Sequence, residues 1–259
     1  MNVEAMRIYG SDQLPQEAVE LRAGPVEMLF EAGDLRTIRL NQVEVVRRVY
    51  AAVRDRNWGT VANRLSNLVI EQQEDHFRIT FAVENRANEI DFDWRGEIRG
   101  DADGTVSYSL EGTARTTFLR NRIGFCVLHP AGLAGATCQM ERVDGALVRG
   151  MLPQDICPDQ PLMPFTDLRG LTHPAGAGWE VELRFEGDAF EMEDQRNWTD
   201  ASFKTFCTPL RLPYPIEIQA GTIIRQAILL RVKAVGTQSI GRAPVVHRRN
   251  EEELEAVVD

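Results

Sequence analysis

Apolar and polar residues alternate with a spacing of two through most of this chain, and a helical stripe replaces that pattern almost nowhere. In His76-Phe-Arg-Ile-Thr-Phe-Ala-Val and Trp179-Glu-Val-Glu-Leu-Arg-Phe-Glu, successive side chains of an extended backbone point to opposite faces, one dry and one wet. Such segments need antiparallel partners and a second layer to cover the dry face. The pattern predicts strands at Val26–Phe30, Leu35–Leu40, Val43–Val53, Asn67–Gln72, His76–Val83, Glu89–Arg99 and Thr105–Thr113. It continues with Gly124–His129, Thr137–Val143, Trp179–Glu186, Phe190–Glu193, Lys204–Thr208 and Ile223–Val232. Turn signals separate them at Ala32-Gly-Asp, Asp101-Ala-Asp-Gly, Asp144-Gly and Glu186-Gly-Asp. A parallel α/β sheet needs a long helix after most strands, and none is legible. The expected class is all-β, a large antiparallel β-sandwich.

At 259 residues the chain can bury a full core as one unit. The alternation stops near Gly236, so residues 1–235 are expected to form the sandwich. Residues 236–259 are expected to form a linker and a short acidic helix, capped by Asn250 with a Leu254/Val257/Val258 stripe. Between Pro153 and Pro174 five prolines preclude regular structure over most of the segment, and an irregular stretch that long suggests a functional loop.

Lys plus Arg sum to 29 against 39 Asp plus Glu, a net charge of −10, which argues against nucleic acid as a partner. No run of about 18 apolar residues exists to span a membrane. Met1 to Gly10 lacks the apolar region of a secretory signal, so the expected location is cytoplasmic. Cys126, Cys138, Cys157 and Cys207 are widely spaced without a C-x-x-C pair, which predicts free, mostly buried thiols.

The densest polar segment is Glu191-Met-Glu-Asp-Gln-Arg-Asn-Trp-Thr-Asp-Ala-Ser-Phe-Lys-Thr-Phe206. A strand over 190–193 would turn Phe190 and Met192 to one face and Glu191 and Glu193 to the other, the carboxylates roughly 7 Å apart. Asp194, Arg196, Asn197, Trp198 and Asp200 follow; polar groups for hydroxyls beside an indole face suit a carbohydrate. A solvated loop of mixed charge is the bland alternative. Lys204 stands out because Lys233 is the only other lysine, and a compact cation suits a carboxylate or a developing oxyanion.

In Phe118-Leu-Arg-Asn-Arg-Ile-Gly-Phe-Cys-Val-Leu-His-Pro130, Asn121 and Arg122 are expected at a loop-to-strand boundary. His129 is expected at the strand end on a cleft rim, where it can titrate; the alternative is a histidine bonded to a neighbouring carbonyl. Arg54-Asp-Arg-Asn-Trp-Gly59 repeats the Arg/Asn/Trp mixture, which makes Arg54, Asn57 and Trp58 candidates for the same sugar-sized pocket; the alternative is a turn with a buried tryptophan. His76, His173 and His247 carry weaker signals, His173 standing before a proline in the long loop. No metal-ligand spacing, nucleophile elbow or phosphate loop appears, so neither metal nor cofactor is expected.

These three segments resemble the N-terminal domain of D-apionate lactonases, over about residues 5–233. The resemblance implies a sandwich of the galactose-mutarotase type. It also implies hydrolysis of D-apionolactone to D-apionate in carbohydrate catabolism, and a chain in which a TIM-barrel domain and a further β domain follow. If the family's carboxylates lie in the barrel, this domain would bind sugar without turning it over.

A lactone needs a water activated by a general base and a donor for its oxyanion. Glu193 or Glu191 is the candidate base, Lys204 and Arg196 are candidate anion stabilisers, and His129 is a reserve acid/base. Two other readings stand beside hydrolysis: a non-catalytic carbohydrate-binding or interdomain module, and a mutarotase-like epimerase using His129 with Glu193. The last wants a second histidine nearby, which the pattern does not supply.

Overall fold

The computed structural model describes residues 6–7 and 18–235, so the expected linker and helix over 236–259 lie outside the described residues. Two nine-stranded sheets pack face to face. The first contains β1 (Val19–Ala23), β2 (Val26–Glu31), β3 (Asp34–Leu40), β4 (Val43–Asp55) and β5 (Thr60–Val61). It is completed by β10 (Phe118–Pro130), β15 (Glu191–Gln195), β16 (Ser202–Phe206) and β17 (Ile216–Ile218). Its order is β1-β2-β3-β4-β10-β16-β15, with β5 on β4 and β17 on β10.

The second sheet contains β6 (Asn63–Gln72), β7 (Phe77–Ala87), β8 (Ile90–Gly100), β9 (Val106–Ala114) and β11 (Thr137–Arg142). With β12 (Leu147–Met151), β13 (Leu168–Pro174), β14 (Trp179–Glu186) and β18 (Ile223–Ala234) it runs in the order β12-β11-β13-β14-β18-β9-β8-β7-β6. All pairings are antiparallel. The sandwich is of the all-β class that the alternation implies. No helix among the described residues is long and apolar enough to cross a membrane.

Each expected strand has its counterpart, but five strands went unread. In β7 and β8 the period-two pattern translates directly into alternating burial. In β12 the outward Leu147, Arg149 and Met151 are exposed, so apolar content does not mark a dry face. β13 falls inside the proline-rich stretch: Gly170, Thr172 and His173 give it little apolar signal, and Pro174 sits at its last position, where ladder bonding can end. β10 starts six residues earlier than the apolar run because Arg120 and Arg122 both pair with β4 across a bulge. Asn121 and Arg122 are therefore inside a strand rather than at its boundary. The four cysteines are unpaired, with Cys126, Cys138 and Cys207 buried.

The core fills the space between the sheets with Phe125, Phe165, Phe185, Phe190, Phe203 and Tyr108, each burial favouring folding by about 1.5–3 kcal/mol. Polar links cross it as well. The Tyr108 hydroxyl on β9 donates to the Gly33 carbonyl in the β2–β3 turn at 2.6 Å. Gln226 of β18 reaches across to β10, accepting from the Phe125 N–H at 3.0 Å and donating to the Ile123 carbonyl at 3.3 Å. Gly124 lies between these two groups with φ +146°. A Cβ there would meet Gln226 Oε1 at 2.1 Å and Cys207 Sγ at 2.5 Å. The backbone requires glycine twice, for its dihedral angle and for the amide plug. Gly124→Ala should therefore destabilise the fold by about 2–3 kcal/mol, read as a lower urea midpoint with far-ultraviolet circular dichroism retained at low denaturant.

Candidate active site

Side chains on β10 alternate between the core and the outer face of the first sheet. Ile123, Phe125, Val127 and His129 point inward, whereas Arg122, Gly124, Cys126 and Leu128 belong to the outer face. The register carries that face across the sheet: Arg122 pairs with Arg54, Gly124 with Ala52 and Cys126 with Phe206. Leu128 pairs with Lys204, and Lys204 in turn with Glu193. On this face a cleft of about 580 Å³ opens over the strand floor. Its polar lining comes from Arg54, Arg122, Glu193, Gln195 and Lys204, and its aromatic walls from Trp58, Trp198, Phe206 and Tyr214.

Trp58 is held by a turn built on Asp55. Asp55 Oδ1 accepts from the Asn57 and Gly59 N–H groups, both at 2.8 Å, and the Asp55 carbonyl accepts from Trp58 N–H at 3.1 Å. The turn forces Trp58 to φ +69°, a left-handed conformation disfavoured for a bulky residue. Tyr214 packs against its ring edge-on at 5.0 Å between centroids. Arg54 donates to the Thr60 hydroxyl and to the Trp58 carbonyl, so it both supports the turn and lines the cleft.

Arg122 is the centre of the site. Its guanidinium lies 4.0 Å from the Phe206 ring centroid and 4.8 Å from that of Trp58. Stacking of a planar cation on two rings suits arginine and not lysine. Burial lowers its pKa, opposed by Glu193 and Glu191, yet arginine remains cationic at any physiological pH.

Glu191 and Glu193 share the outer face, while Phe190 and Met192 are buried in the core. The two carboxylates differ in environment. Glu191 is 1% exposed, accepts from the Leu210 N–H at 2.6 Å and lies 3.8 Å from Arg122. Burial pushes its carboxyl above the ordinary range, against the Leu210 hydrogen bond and Arg122. Glu193 is half-buried, lines the cleft and accepts from Gln195 Nε2 at 2.7 Å. Opposite it, Lys204 has no carboxylate within 4.0 Å among the described residues, and its ammonium sits 5.5 Å from the Phe206 centroid.

Several expected site residues lie elsewhere. Asp194 follows Glu193 in the strand and so points to the other face. Its carboxylate is completely enclosed, accepting from Arg196 Nε at 2.9 Å, Arg196 Nη2 at 2.8 Å and the Cys157 N–H at 2.9 Å. Those bonds hold its pKa below the usual carboxylate range although burial alone would raise it. Arg196 also donates to the Gln154 and Asp155 carbonyls and stacks on Phe203 at 4.4 Å. This pair fastens the proline-rich loop to the end of β15, so neither residue is a cleft ligand and Arg196 cannot serve as an oxyanion donor. Asn57 and Asn197 are exposed turn residues outside the cleft lining. Asp200 contributes its carbonyl to Arg47 at 2.6 Å, a bond that supports the Trp198 turn from below. Asn121 lines a neighbouring cavity.

His129 is the plainest correction. Alternation along β10 turns it into the core, where it is 0% exposed and bonded through Nε2 to the Thr205 hydroxyl at 2.8 Å. His173, carried by β13 rather than a loop, packs edge-on against it at 5.6 Å between centroids. A second histidine is therefore adjacent, but both rings lie beneath the sheet, on the opposite side from Glu193 and Trp198. His129 and Glu193 cannot share one sugar carbon, which removes the epimerase pairing. Among the described residues no group of three or more His, Cys, Asp or Glu is arranged to hold a metal ion.

Gln195, Phe206 and Tyr214 are cleft residues that the sequence reading missed. Gln195 and Phe206 were legible as the i+2 neighbours of Glu193 and Lys204 on the same strand faces. Tyr214 sits in a proline-rich connection with no periodic signal.

A protein-family model described as D-apionate lactonase, N-terminal domain, matches residues 6–235. The chain belongs to that family. The D-apionate lactonase of Brucella anthropi is 40% identical over 235 residues, a match covering 89% of this chain and 38% of the relative's length. In fold, the sandwich is similar to galactose 1-epimerase of Lactobacillus acidophilus NCFM, with a TM-score of 0.54, 7% identity and coverage of 85% and 98% of the two chains. An aldose epimerase homologue from C. elegans gives a TM-score of 0.51 at 11% identity, covering 85% of this chain and 99% of that one.

The two core histidines make a test of their own. Burial lowers the pKa of both, His129 further depressed by His173. Below the ordinary value of about 6.5 the unfolded chain takes up protons that the folded chain refuses, so stability falls as pH drops from there. Each histidine adds up to ~1.4 kcal/mol of loss per pH unit. Urea midpoints from pH 8 to pH 5 should decline more steeply for the wild type than for the His129→Gln/His173→Gln double variant.

Proposed function

We propose that this domain binds a sugar lactone in the outer-face cleft and takes part in hydrolysing D-apionolactone to D-apionate. The observation that carries the reading is the convergence of Glu193, Lys204 and Arg122 over one floor between two indole walls, in a chain of the D-apionate lactonase family. Trp58 and Trp198 offer faces for the C–H surfaces of a small sugar ring, and Arg54 and Gln195 offer hydrogen bonds to its hydroxyls.

In the proposed reaction Glu193 takes a proton from water as its oxygen attacks the lactone carbonyl. Arg122 and Lys204 donate to the carbonyl oxygen as it becomes an oxyanion, where fixed cations act strongly because little reorganises. Collapse breaks the ring acyl C–O bond, and the proton held by Glu193 passes to the departing alkoxide. Water is thereby added across one bond, giving a hydroxyl and a carboxylic acid, which releases its proton to solvent and leaves as the carboxylate. Glu191, capped by Leu210 and facing Arg122, acts as a positioning residue for that guanidinium rather than as the base.

Binding without turnover is the second reading, and one observation favours it: the chain spans 38% of the length of the curated relative. A further domain of that longer protein, such as a barrel, would then supply the chemistry and this cleft the sugar contacts. Acid release from D-apionolactone in a pH-stat separates the two. Hydrolysis here predicts that Glu193→Gln lowers kcat by at least ~10²-fold with little change in KM, the scale of general-base loss. Trp198, 68% exposed at the cleft wall, should on Trp198→Ala weaken binding and leave kcat nearly unchanged. Sugar binding by the wild type with no acid released at any enzyme concentration would instead support the module.

A further inference from the structure

A second cavity, about 620 Å³, lies beside the cleft and shares Arg122 and Tyr214 with it. Its polar lining comes from Arg120, Asn121, Arg122, Asp188 and Thr208, with Arg225 and Gln226 already engaged by Glu111 and by β10, and its remaining surface is largely proline and isoleucine. Arg120 has no close ion pair in this wall, and Asp188 acts on it only from a distance. Arg120 is half-buried and has no carboxylate within 4.0 Å among the described residues; its one hydrogen bond is a 3.3 Å contact from Nη1 to the Asn121 carbonyl. Arg120 Nε, Asn121 Oδ1 and Arg122 Nη2 are all buried without a hydrogen-bond partner. Asp188, the acid on the same wall, is engaged by the Thr208 hydroxyl at 2.7 Å and the Ala189 N–H at 2.8 Å.

A guanidinium withdrawn from water and left without a counter-ion is costly unless an anion completes it. Three orphaned polar groups on consecutive residues of one strand are uncommon in a folded chain. The volume falls within the range of small-molecule sites, and a planar two-pronged donor matches a carboxylate. We propose that this cavity is a binding site for a hydroxylated carboxylate of the sugar-acid class, with Arg120 as its counter-ion and Asn121 and Thr208 as hydroxyl partners. The anion site stands on the unpaired arginine alone; the choice of a sugar acid rests on the lactone-hydrolysis reading, whose product is such an acid.

Isothermal titration calorimetry on the full chain tests this with sodium gluconate, sodium acetate, inorganic phosphate and neutral glucose as probes. Gluconate is expected to bind more tightly than acetate or phosphate, and glucose not to reproduce its Arg120 dependence. Arg120→Met should weaken gluconate at least tenfold. Asp188→Asn, which removes a competing negative charge, should tighten it. Changes of opposite sign in the two variants cannot both come from misfolding, and urea unfolding of each checks that the fold persists. Gluconate binding that is absent, or equal in wild type and Arg120→Met, overturns the proposal; Arg120-dependent phosphate binding without gluconate binding overturns the sugar-acid assignment. The titration needs no turnover, so loss of the lactonase reading through an inactive wild type leaves its outcome readable.

Discussion

Every residue of β10 from Asn121 to Pro130 is buried, so this strand has to satisfy two different neighbours at once. Its inner side chains meet the second sheet and supply apolar surface to the core. Its outer side chains meet the loops after β4, β15 and β16, which fold back over the first sheet. Polar groups can be placed on that outer face only where something compensates them: Arg122 by two aromatic rings and Glu191 by a backbone amide. The cleft opens where the covering loops leave a gap above these compensated groups.

The fold was legible wherever a strand has one dry and one wet face, as in β7, β8 and β14. It was hidden where both faces are wet, as in β12, or where small and polar residues serve a buried position, as in β13. The site was legible as composition and less so as geometry. Arg54, Trp58, Arg122, Glu193, Trp198 and Lys204 do meet in one cleft. Residues drawn from the same segments, Asp194 and Arg196, went to a structural clamp, because a carboxylate and a guanidinium two positions apart can satisfy each other before any ligand does. His129 misled for a simpler reason. A histidine at a strand end looks accessible in sequence, but parity along β10 assigns it to the interior, and only the register with β16 reveals that parity.

The contrast between the two neighbouring carboxylates follows from the same parity. Glu191 and Glu193 occupy equivalent positions two residues apart, yet the 207–215 connection covers one and leaves the other open. The difference in environment between like groups thus arises from which loop lies overhead, with no change in the strand. Lys204 gains its importance similarly: its partner across the ladder is an acid, but no close pair forms, and the ammonium stays available to the cleft.

The clamp of Asp194 and Arg196 on the backbone of Gln154, Asp155 and Cys157 has a consequence for where variation can be felt. The hinge of the indole wall is anchored in a segment some forty positions upstream that never approaches the cleft. Insertions or substitutions there would shift the tryptophan's perch while leaving every cleft-lining side chain unaltered. The shape of the cleft can therefore drift from a distance, through upholstery rather than through the seat.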